Sequence, residues 1–482
     1  MASLLNFPVE VLNLILEAVD PNDKPAFFKL SLVCKVFNML ATPMMYRTVE
    51  IYEPEDIHKF LFSIISSHAR ASMVKSFAAI GDKYGAPEVI DIYASRGWLL
   101  ENSWNRTVIP IWEKHFPKHL PDYFGSYSLL AAVYLTNLDT LSLNQFYGVK
   151  YWDFLEAISF ASLINTNGEF RPYIWPMLST VIMGSSIDDN PVSSMMLFAR
   201  IPTLRRLLYY DISYFGYHSV FENLPFTPIR SRSTDLEELV LESFDILHHA
   251  RMDRLLRAPK ALRVFRYSAS GHWYISFKTT WLATSLRHQS HALEEISLTD
   301  FDAFLPDMEM PEIEIDFISF SSFRILRTLE VSTVFAFGQA ALLFDAHLLN
   351  PEDLHLFLAD SSLDPLNGDI DLAADHESTE RCLVKMLPPS IETLRLRDCG
   401  KPWAAERLDR ALAELLKWRD IKFPNLNTIE LWGAPHRMDQ NWISQIHQSA
   451  LEARVKGMHI RFHILERIPG WVWVKDIFSR SL

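Results

Sequence analysis

A short apolar pattern that recurs along most of the chain limits how this sequence folds more than any other feature. In each copy a large apolar residue is followed three positions later by a second and two positions after that by a third. Two apolar residues two positions apart lie on one face of a β-strand, so each copy predicts one short strand with a buried face. The copies are Leu138-Leu141-Leu143, Leu178-Val181-Met183, Leu204-Leu207-Tyr209, Leu236-Leu239-Leu241, Leu262-Phe265-Tyr267, Leu293-Ile296-Leu298, Leu326-Leu329-Val331, Leu354-Phe357-Ala359, Ile391-Leu394-Leu396 and Leu426-Ile429-Leu431.

The context of these triplets predicts a repeating α/β architecture. Their starts are 26 to 40 residues apart, and segments with helical character such as "ILHHARMDRLLRA" and "ERLDRALAELLKW" lie between them. A strand followed by a helix in each unit produces a parallel sheet. The pattern resembles leucine-rich repeats, although its spacing is longer and less regular than their usual 20–29 residues. That resemblance implies an α/β solenoid with parallel strands and helices.

Two further segments complete this prediction. Residues 438–457 read as a helix, and "MHIRFHIL" reads as a final strand, followed by "GWVWVKDIF" as a cap on the open end. The segment "LADSSLDPLNGDIDLAADHESTE" is rich in acidic residues and predicts an exposed loop that interrupts the repeats. Residues 97–127 fit no repeat, and we expect them to cover one flank.

Composition excludes several classes of function. The net charge of −13 and the lack of a basic run argue against nucleic-acid binding, which requires clustered Lys and Arg. The three cysteines, Cys34, Cys382 and Cys399, contain no CxxC pair, so we expect free thiols rather than disulfides or zinc. We expect no cofactor. No apolar run approaches about 18 residues, and no secretion signal is recognisable, so we expect a cytoplasmic or nuclear protein.

The first fifty residues predict three short helices. Pro8 and Glu10 suit a first helical turn, and the apolar residues of the following stretch recur at helical spacing on one face. Asp20-Pro21-Asn22-Asp23 predicts the turn that ends this helix. A second helix carries Phe27 and a third carries Phe37, with Pro43 expected to end it. These helices contain more large apolar side chains than they can hide from one another, so part of this surface must be covered by the rest of the chain or by a partner.

The order of residues in this segment resembles the F-box, the helical module of about 45 residues through which substrate receptors bind the Skp-family adaptor of SCF ubiquitin ligases. The resemblance rests on "FPVEVLNLIL" and "LSLVCKVFNMLATPMMYRTV", with Phe7 where the family usually has Leu. The irregular repeats that follow resemble those of many fungal F-box proteins. The fold implied is an N-terminal three-helix F-box in residues 1–49, linker helices and first irregular repeats in 50–135, and a degenerate repeat solenoid with a C-terminal cap in 136–482.

The resemblance implies a function and a set of binding residues. The chain would be a non-catalytic substrate-recognition subunit that binds a Skp-family adaptor, a cullin scaffold and a protein substrate. The residues that it assigns to adaptor contact or to the internal core of the module, without dividing them, are Pro8, Val11, Leu12, Ile15, Leu16, Leu32, Val33, Cys34 and Phe37. An interaction scaffold that acts outside a ubiquitin ligase, and an enzyme, remain as alternatives.

A substrate would bind the strand face opposite the buried triplets. The residue between the last two apolar positions of each triplet points to that face. These residues are Ser142, Ile182, Leu208, Val240, Arg266, Ser297, Glu330, Leu358, Arg395 and Glu430, of which we assign the charged members Arg266, Glu330, Arg395 and Glu430 to substrate binding. No zinc-protease, phosphate-loop, dinucleotide-binding or serine-hydrolase motif occurs.

Overall fold

The structure is a computed structural model of the 482-residue chain. It describes residues 7–20, 23–80, 103–115, 123–144, 154, 157, 175–187, 195, 197–213, 231–244, 249–269, 279–299, 319–333, 382–397, 399, 402–433 and 458–464. The eighth triplet, the acidic loop, the helix in residues 438–457 and the aromatic tail lie outside these residues.

The chain begins with three helices that lead directly into a strand. They are α1 (Val9–Glu17), α2 (Lys24–Ser31) and α3 (Lys35–Arg47), and strand β1 (Thr48–Ile51) follows α3 without a linker. The side chain of Asp23 caps α2 by accepting a hydrogen bond of 3.1 Å from the Ala26 N–H. The predicted boundary between residues 49 and 50 therefore falls inside β1.

Pro43 does not end the third helix, which corrects the prediction from its sequence. Helix α3 continues four residues beyond it to Arg47. Leu40 and Ala41 before the proline are buried in the cluster formed by the three helices, and Met44 and Met45 after it pack against the same cluster. Packing on both sides of Pro43 offsets the hydrogen bond that proline removes from the helix.

The remaining elements alternate between helices and strands. The first group is α4 (Pro54–Ile65), α5 (His68–Met73), β2 (Ser76–Ala79), α6 (Ser103–His115), α7 (Tyr123–Tyr134), β3 (Thr140–Asn144), β4 (Thr180–Ile187), β5 (Arg206–Ser213) and β6 (Glu238–Phe244). The second is α8 (His249–Arg257), β7 (Val264–Ala269), α9 (Thr279–Leu286), a 3₁₀ turn (Arg287–Gln289), β8 (Glu295–Thr299), β9 (Thr328–Ser332), α10 (Cys382–Met386), β10 (Thr393–Arg397), α11 (Pro402–Lys422), β11 (Thr428–Gly433) and β12 (His459–Ile464). The segment 97–127, which fits no repeat in the sequence, contains α6 and the start of α7.

The strands form one open parallel sheet in chain order, β1 to β12. The predicted α/β class and parallel strands are therefore confirmed, as is the predicted repeat-like order. The chain divides into two compact units, Met1–Val240 with Ala258–Lys260, and Leu241–Arg257 with Ala261–Leu482. This division differs from the domain limits expected from the sequence.

The apolar triplets account for the core of the sheet. Nine of the ten triplets fall at described strands, and all 27 of their residues are buried. The neighbouring strands pair without any shift, so that Phe265, Ile296, Leu329, Leu394 and Ile429 occupy equivalent positions in successive strands. Because equivalent apolar residues lie side by side in this register, the triplet of each strand is covered by the triplets of the adjacent strands.

Backbone hydrogen bonds fix the register at the point where each strand begins. The carbonyl of Arg263 accepts from the N–H groups of Glu294 and Glu295, and the carbonyl of Glu294 accepts from those of Arg327 and Thr328. The same arrangement recurs at Arg327 and Glu392 and, in the first unit, at Lys75, Asp139, Ser179 and Arg205. Because each unit is aligned at its strand start, the lengths of the connecting segments can vary without changing the register.

Charged side chains add ion pairs at the same strand starts. The Arg263 Nε lies 2.8 Å from Glu294 Oε1, and the Arg205 Nη1 lies 3.0 Å from Glu237 Oε1. The hydrogen bond from Arg263 lowers the pKa of the Glu294 carboxyl below its ordinary value, with a smaller contribution from the charge of Arg327. These pairs are partly exposed, so we expect each to contribute less than about 1 kcal/mol.

Candidate docking surface and strand face

The three N-terminal helices share one small core. It contains Leu12 and Leu16 from α1, Phe27 from α2, and Phe37 and Leu40 from α3, each at most 9% exposed. Their spacing of three or four residues places them on the inward face of each helix. With Ala41, these residues make up the buried apolar content of the described part of the module.

A larger set of apolar side chains on the same helices faces solvent. Leu32 is 69% exposed, Leu14 65% and Val33 62%. Among the described residues of this module, the exposed large apolar ones are named here the apolar surface, and they are Phe7, Val9, Leu14, Ile15, Phe28, Leu32, Val33, Val36 and Met39. Isolated exposed apolar residues are ordinary, but nine within 33 residues of chain are a concentration typical of interaction sites.

The structure divides the nine residues that the F-box resemblance assigns to adaptor contact or internal core. Leu12, Leu16 and Phe37 lie in the core of the module. Val11 and Cys34 are partly buried. The remaining four, all exposed, are Pro8, Ile15, Leu32 and Val33.

Six members of the apolar surface are absent from the set that the sequence assigned to the adaptor. They are Phe7, Val9, Leu14, Phe28, Val36 and Met39. The available signal was that three short helices contain more large apolar side chains than their shared core can hold. This signal predicts that some of the side chains are exposed, but it does not show which ones. Only the packing of α1 to α3 around one core decides that.

The module is attached firmly to the first strands. The N–H of Lys75 donates to the Arg47 carbonyl at 2.9 Å, which ties the end of α3 to the chain before β2. The Tyr46 hydroxyl lies 3.3 Å from Ser63 Oγ on α4. Together with the direct passage from α3 into β1, these contacts fix the orientation of the apolar surface relative to the first strands.

The strand face predicted to bind substrate differs between the two units. In the first unit, Ile182, Leu208 and Val240 are at most 6% exposed and form an apolar cluster of their own, with Tyr210 packed against it. The expectation that these three residues line an accessible surface is therefore wrong, because the sheet is buried on both faces at their positions and at the neighbouring triplet positions. Leu358 lies outside the described residues.

In the second unit, this face carries paired charges. Arg395 on β10 lies between Glu330 on β9 and Glu430 on β11, with its Nε 2.9 Å from Glu430 Oε2 and its Nη1 3.8 Å from Glu330 Oε2. Arg266, on β7, instead pairs with Glu295 at 2.8 Å. Three of the four residues assigned to substrate binding are thus joined through Arg395, while Arg266 pairs with Glu295 on β8.

The buried histidine of α4 has no hydrogen-bond partner. His58 on α4 is 5% exposed, and neither ring nitrogen has a partner. Its ring centroid lies 4.2 Å from that of Tyr127 on α7. Burial lowers the pKa of His58 below the ordinary value of 6.5, because the charged imidazolium is poorly solvated there.

A Ser, Asp and His set on the second unit does not have the geometry of a nucleophilic triad. The Ser285 hydroxyl donates to Asp253 Oδ1 at 3.4 Å, and His288 Nε2 lies 3.1 Å from the same oxygen. Activation of serine requires a hydrogen bond between its hydroxyl and the imidazole. Ser285 and His288 have no such bond, and Arg257 instead contacts both His288 and Asp253.

Neither a model of a known protein family nor any curated protein sequence compared with this chain matches it. Within the described residues, no helix is both long and apolar enough to span a membrane.

Proposed function

We propose that this protein is the substrate-recognition subunit of an SCF-type ubiquitin ligase, acting in the cytoplasm or nucleus. Its N-terminal module binds a Skp-family adaptor that is joined to a cullin scaffold, and its repeats bind a protein substrate. In this role the chain catalyses no reaction. It raises the effective concentration of a substrate's lysines near a ubiquitin-charged enzyme.

The exposed apolar surface of the first three helices is the observation that supports this proposal most. Covering a fully exposed Leu or Val side chain contributes roughly 1.5–3 kcal/mol, so five such residues contribute on the order of 8–15 kcal/mol before costs. Association costs about 4–15 kcal/mol in lost freedom of motion. The nine partly exposed side chains together amount to about five fully exposed ones, and at the middle of both ranges the gain exceeds the cost, which supports association with a partner.

The experiment is co-purification from cells of the full chain with adaptor and cullin. Leu16 and Phe37 are unsuitable positions for a charged substitution, because they lie in the core and the module would unfold. The double variant Leu32→Glu with Val33→Glu changes only exposed side chains. We expect it to retain its thermal stability and to lose at least about tenfold in recovered adaptor and cullin.

The matched control is Ile421→Glu, which changes a 75% exposed apolar residue on α11. We expect this variant to recover adaptor and cullin as the unchanged protein does. Recovery of adaptor without cullin would contradict the ligase assignment and favour an interaction scaffold. Recovery of neither protein by the unchanged chain would contradict the docking proposal itself.

A further inference from the structure

Three arginines and two glutamates form a connected charged group on strands β9 to β12, which we name the arginine cluster. It consists of Arg395, Arg397 and Arg461 with Glu330 and Glu430. Arg397 Nε donates to Glu330 Oε1 at 2.5 Å, and Arg395 Nε donates to Glu430 Oε2 at 2.9 Å. Arg461 Nη1 lies 3.9 Å from Glu430 Oε1. All five lie in the second unit.

The acidic side chains of the arginine cluster are more deeply buried than the basic ones. The Glu330 and Glu430 side chains are only 10% and 12% exposed. Those of Arg397, Arg395 and Arg461 are 25%, 35% and 62% exposed. The guanidinium groups are therefore the charges exposed to solvent, and the carboxylates pair with them from the buried side.

The arginine cluster has one positive charge more than its carboxylates neutralise. Three guanidinium groups face two glutamates, and in the described part of the chain none of the three arginines has a further acidic partner. Arg397 uses Nε and Nη2 on Glu330, and the pairing contact of Arg461 is too long for a hydrogen bond. Guanidinium N–H groups thus remain to receive one more anion.

We propose that the arginine cluster binds a single carboxylate of a peptide segment, from an Asp or Glu side chain or from a chain terminus. Guanidinium groups match carboxylates in geometry. The guanidinium groups of the arginine cluster are already held in place by Glu330 and Glu430, which lowers the entropy lost on binding. The excess of one charge fits a monoanion. A phosphate dianion would lie close to two buried carboxylates with only that one excess charge to offset it.

An aromatic side chain adjoins the arginine cluster. The Arg397 guanidinium carbon lies 4.2 Å from the ring centroid of Trp432, on β11 beyond Glu430. The indole fixes Arg397 and provides apolar area beside the guanidinium groups. We expect the residue next to the bound carboxylate to be apolar. This inference deepens the proposed function by naming the chemistry of the substrate segment, and it rests on that function for its biological setting.

The test measures retention of short peptides by the immobilised full chain at low salt. Four pools share randomised uncharged positions, and three have amidated ends. Their central residue is Glu, Gln or phosphoserine, and the fourth pool has central Gln with a free carboxyl terminus. We expect the Glu pool or the free-terminus pool to be retained about fivefold more than the amidated Gln pool, and this preference to disappear at high salt. Which of these two pools is retained identifies the source of the carboxylate.

Two substitutions that are expected to change peptide retention in opposite directions distinguish a role in binding from a role in structural support. Arg461→Gln removes the most exposed guanidinium and reduces retention to the level of the Gln pool. Glu430→Gln keeps the shape of the side chain but removes a competing negative charge, so it increases retention about fivefold. Arg324→Gln changes an exposed arginine in the same unit and leaves retention unchanged. Thermal melting of each variant establishes that it is folded.

Equal retention of the Glu, free-terminus and amidated Gln pools would overturn the inference. So would stronger retention of phosphoserine than of Glu, or an unchanged preference in folded Arg461→Gln. Adaptor recovery is measured on the same preparations. Recovery of adaptor without a carboxylate preference would contradict this inference alone. A carboxylate preference without recovery of adaptor would contradict the proposed function alone.

Discussion

Two leucines of the N-terminal module have opposite environments. Leu16 is fully buried among the three helices, whereas Leu32, in the connection between α2 and α3, is 69% exposed. Both are leucines in apolar stretches of the sequence, and composition does not separate them. Their burial does, and it assigns one to the stability of the module and the other to its outer surface.

Alanine at these two positions tests that assignment. Leu16→Ala removes buried methyl groups and leaves a cavity, so we expect the module to lose about 2–5 kcal/mol of unfolding free energy. Leu32→Ala removes only exposed atoms and is expected to change it by less than about 0.5 kcal/mol. Limited proteolysis within the first fifty residues measures both. Equal protease resistance of the two variants would contradict the described core.

His58 predicts a pH dependence of stability on the acidic side of neutrality. The folded protein holds this imidazole neutral and lowers its pKa, while the unfolded chain takes up a proton near the ordinary value of 6.5. As the pH falls below that value, the unfolded state binds more protons and the free energy of unfolding falls, until the lowered folded pKa is reached. The described neighbours are aromatic, with Tyr127 against the ring and Trp112 against Tyr127.

The variant His58→Met removes this contribution. We expect its midpoint of thermal unfolding to fall less than that of the unchanged protein when the pH is lowered from about 7.5 to about 5.5. The control His68→Gln changes an exposed histidine on α5 and keeps the original dependence. If His58→Met lost stability as steeply as the unchanged protein over this range, the buried neutral imidazole would not be its cause.

At the scale of elements, a buried glutamine joins two repeats in the second unit. Gln289 is 1% exposed. Its Nε2 donates to the Leu256 carbonyl at 2.8 Å at the end of α8, and its Oε1 accepts from the Leu262 N–H at 3.1 Å before β7. One side chain thus satisfies two buried backbone groups that the turn between helix and strand leaves without partners.

Replacing this glutamine by leucine keeps most of its volume but removes both hydrogen bonds. We expect Gln289→Leu to lower the free energy of unfolding by about 2–5 kcal/mol, since two buried backbone groups lose their partners. Arg287→Ala, at an exposed position two residues earlier, is expected to cost less than about 0.5 kcal/mol. Denaturant unfolding curves measure the difference, and similar curves for the two variants would contradict a bridging role for Gln289.

The sequence predicted the strands better than it predicted their surroundings. The triplets located β3 to β11 because a buried parallel strand needs apolar residues at fixed positions whatever its neighbours are. Strand β1 was missed because "TVEI" is short and carries only one buried residue. The burial of Ile182, Leu208 and Val240 on the opposite face was missed because strand alternation shows which side a residue faces and not what covers it.

The exposed surfaces were the hardest part to predict. The sequence placed Glu330, Arg395 and Glu430 on one side of the sheet. Their pairing depends on the register of β9, β10 and β11, which sets Arg395 directly beside both glutamates. Arg397 and Arg461 lie outside the positions marked by the triplets. The division of the module into core and apolar surface likewise follows from tertiary packing, which a helical periodicity alone does not determine.

At the scale of the whole molecule, the chain combines an apolar surface at one end of the sequence with an ordered series of parallel strands. The module and the first strands are continuous through α3 and β1, so a partner on the apolar surface is held in a fixed relation to those strands. The apolar residues of the nine described triplets are all removed from solvent, and the apolar surface of the module is not. This contrast is the physical basis of the proposal that a second polypeptide covers it.

Calorimetric titration of the purified full chain with a Skp-family adaptor at several temperatures tests this claim most directly. We expect saturable binding with a negative change in heat capacity, because apolar area leaves water on binding. We further expect Leu32→Glu with Val33→Glu to abolish the heat signal and Ile421→Glu to preserve it. Absence of binding by the unchanged, folded protein, or binding that the double variant retains in full, would contradict the proposed docking role of the apolar surface.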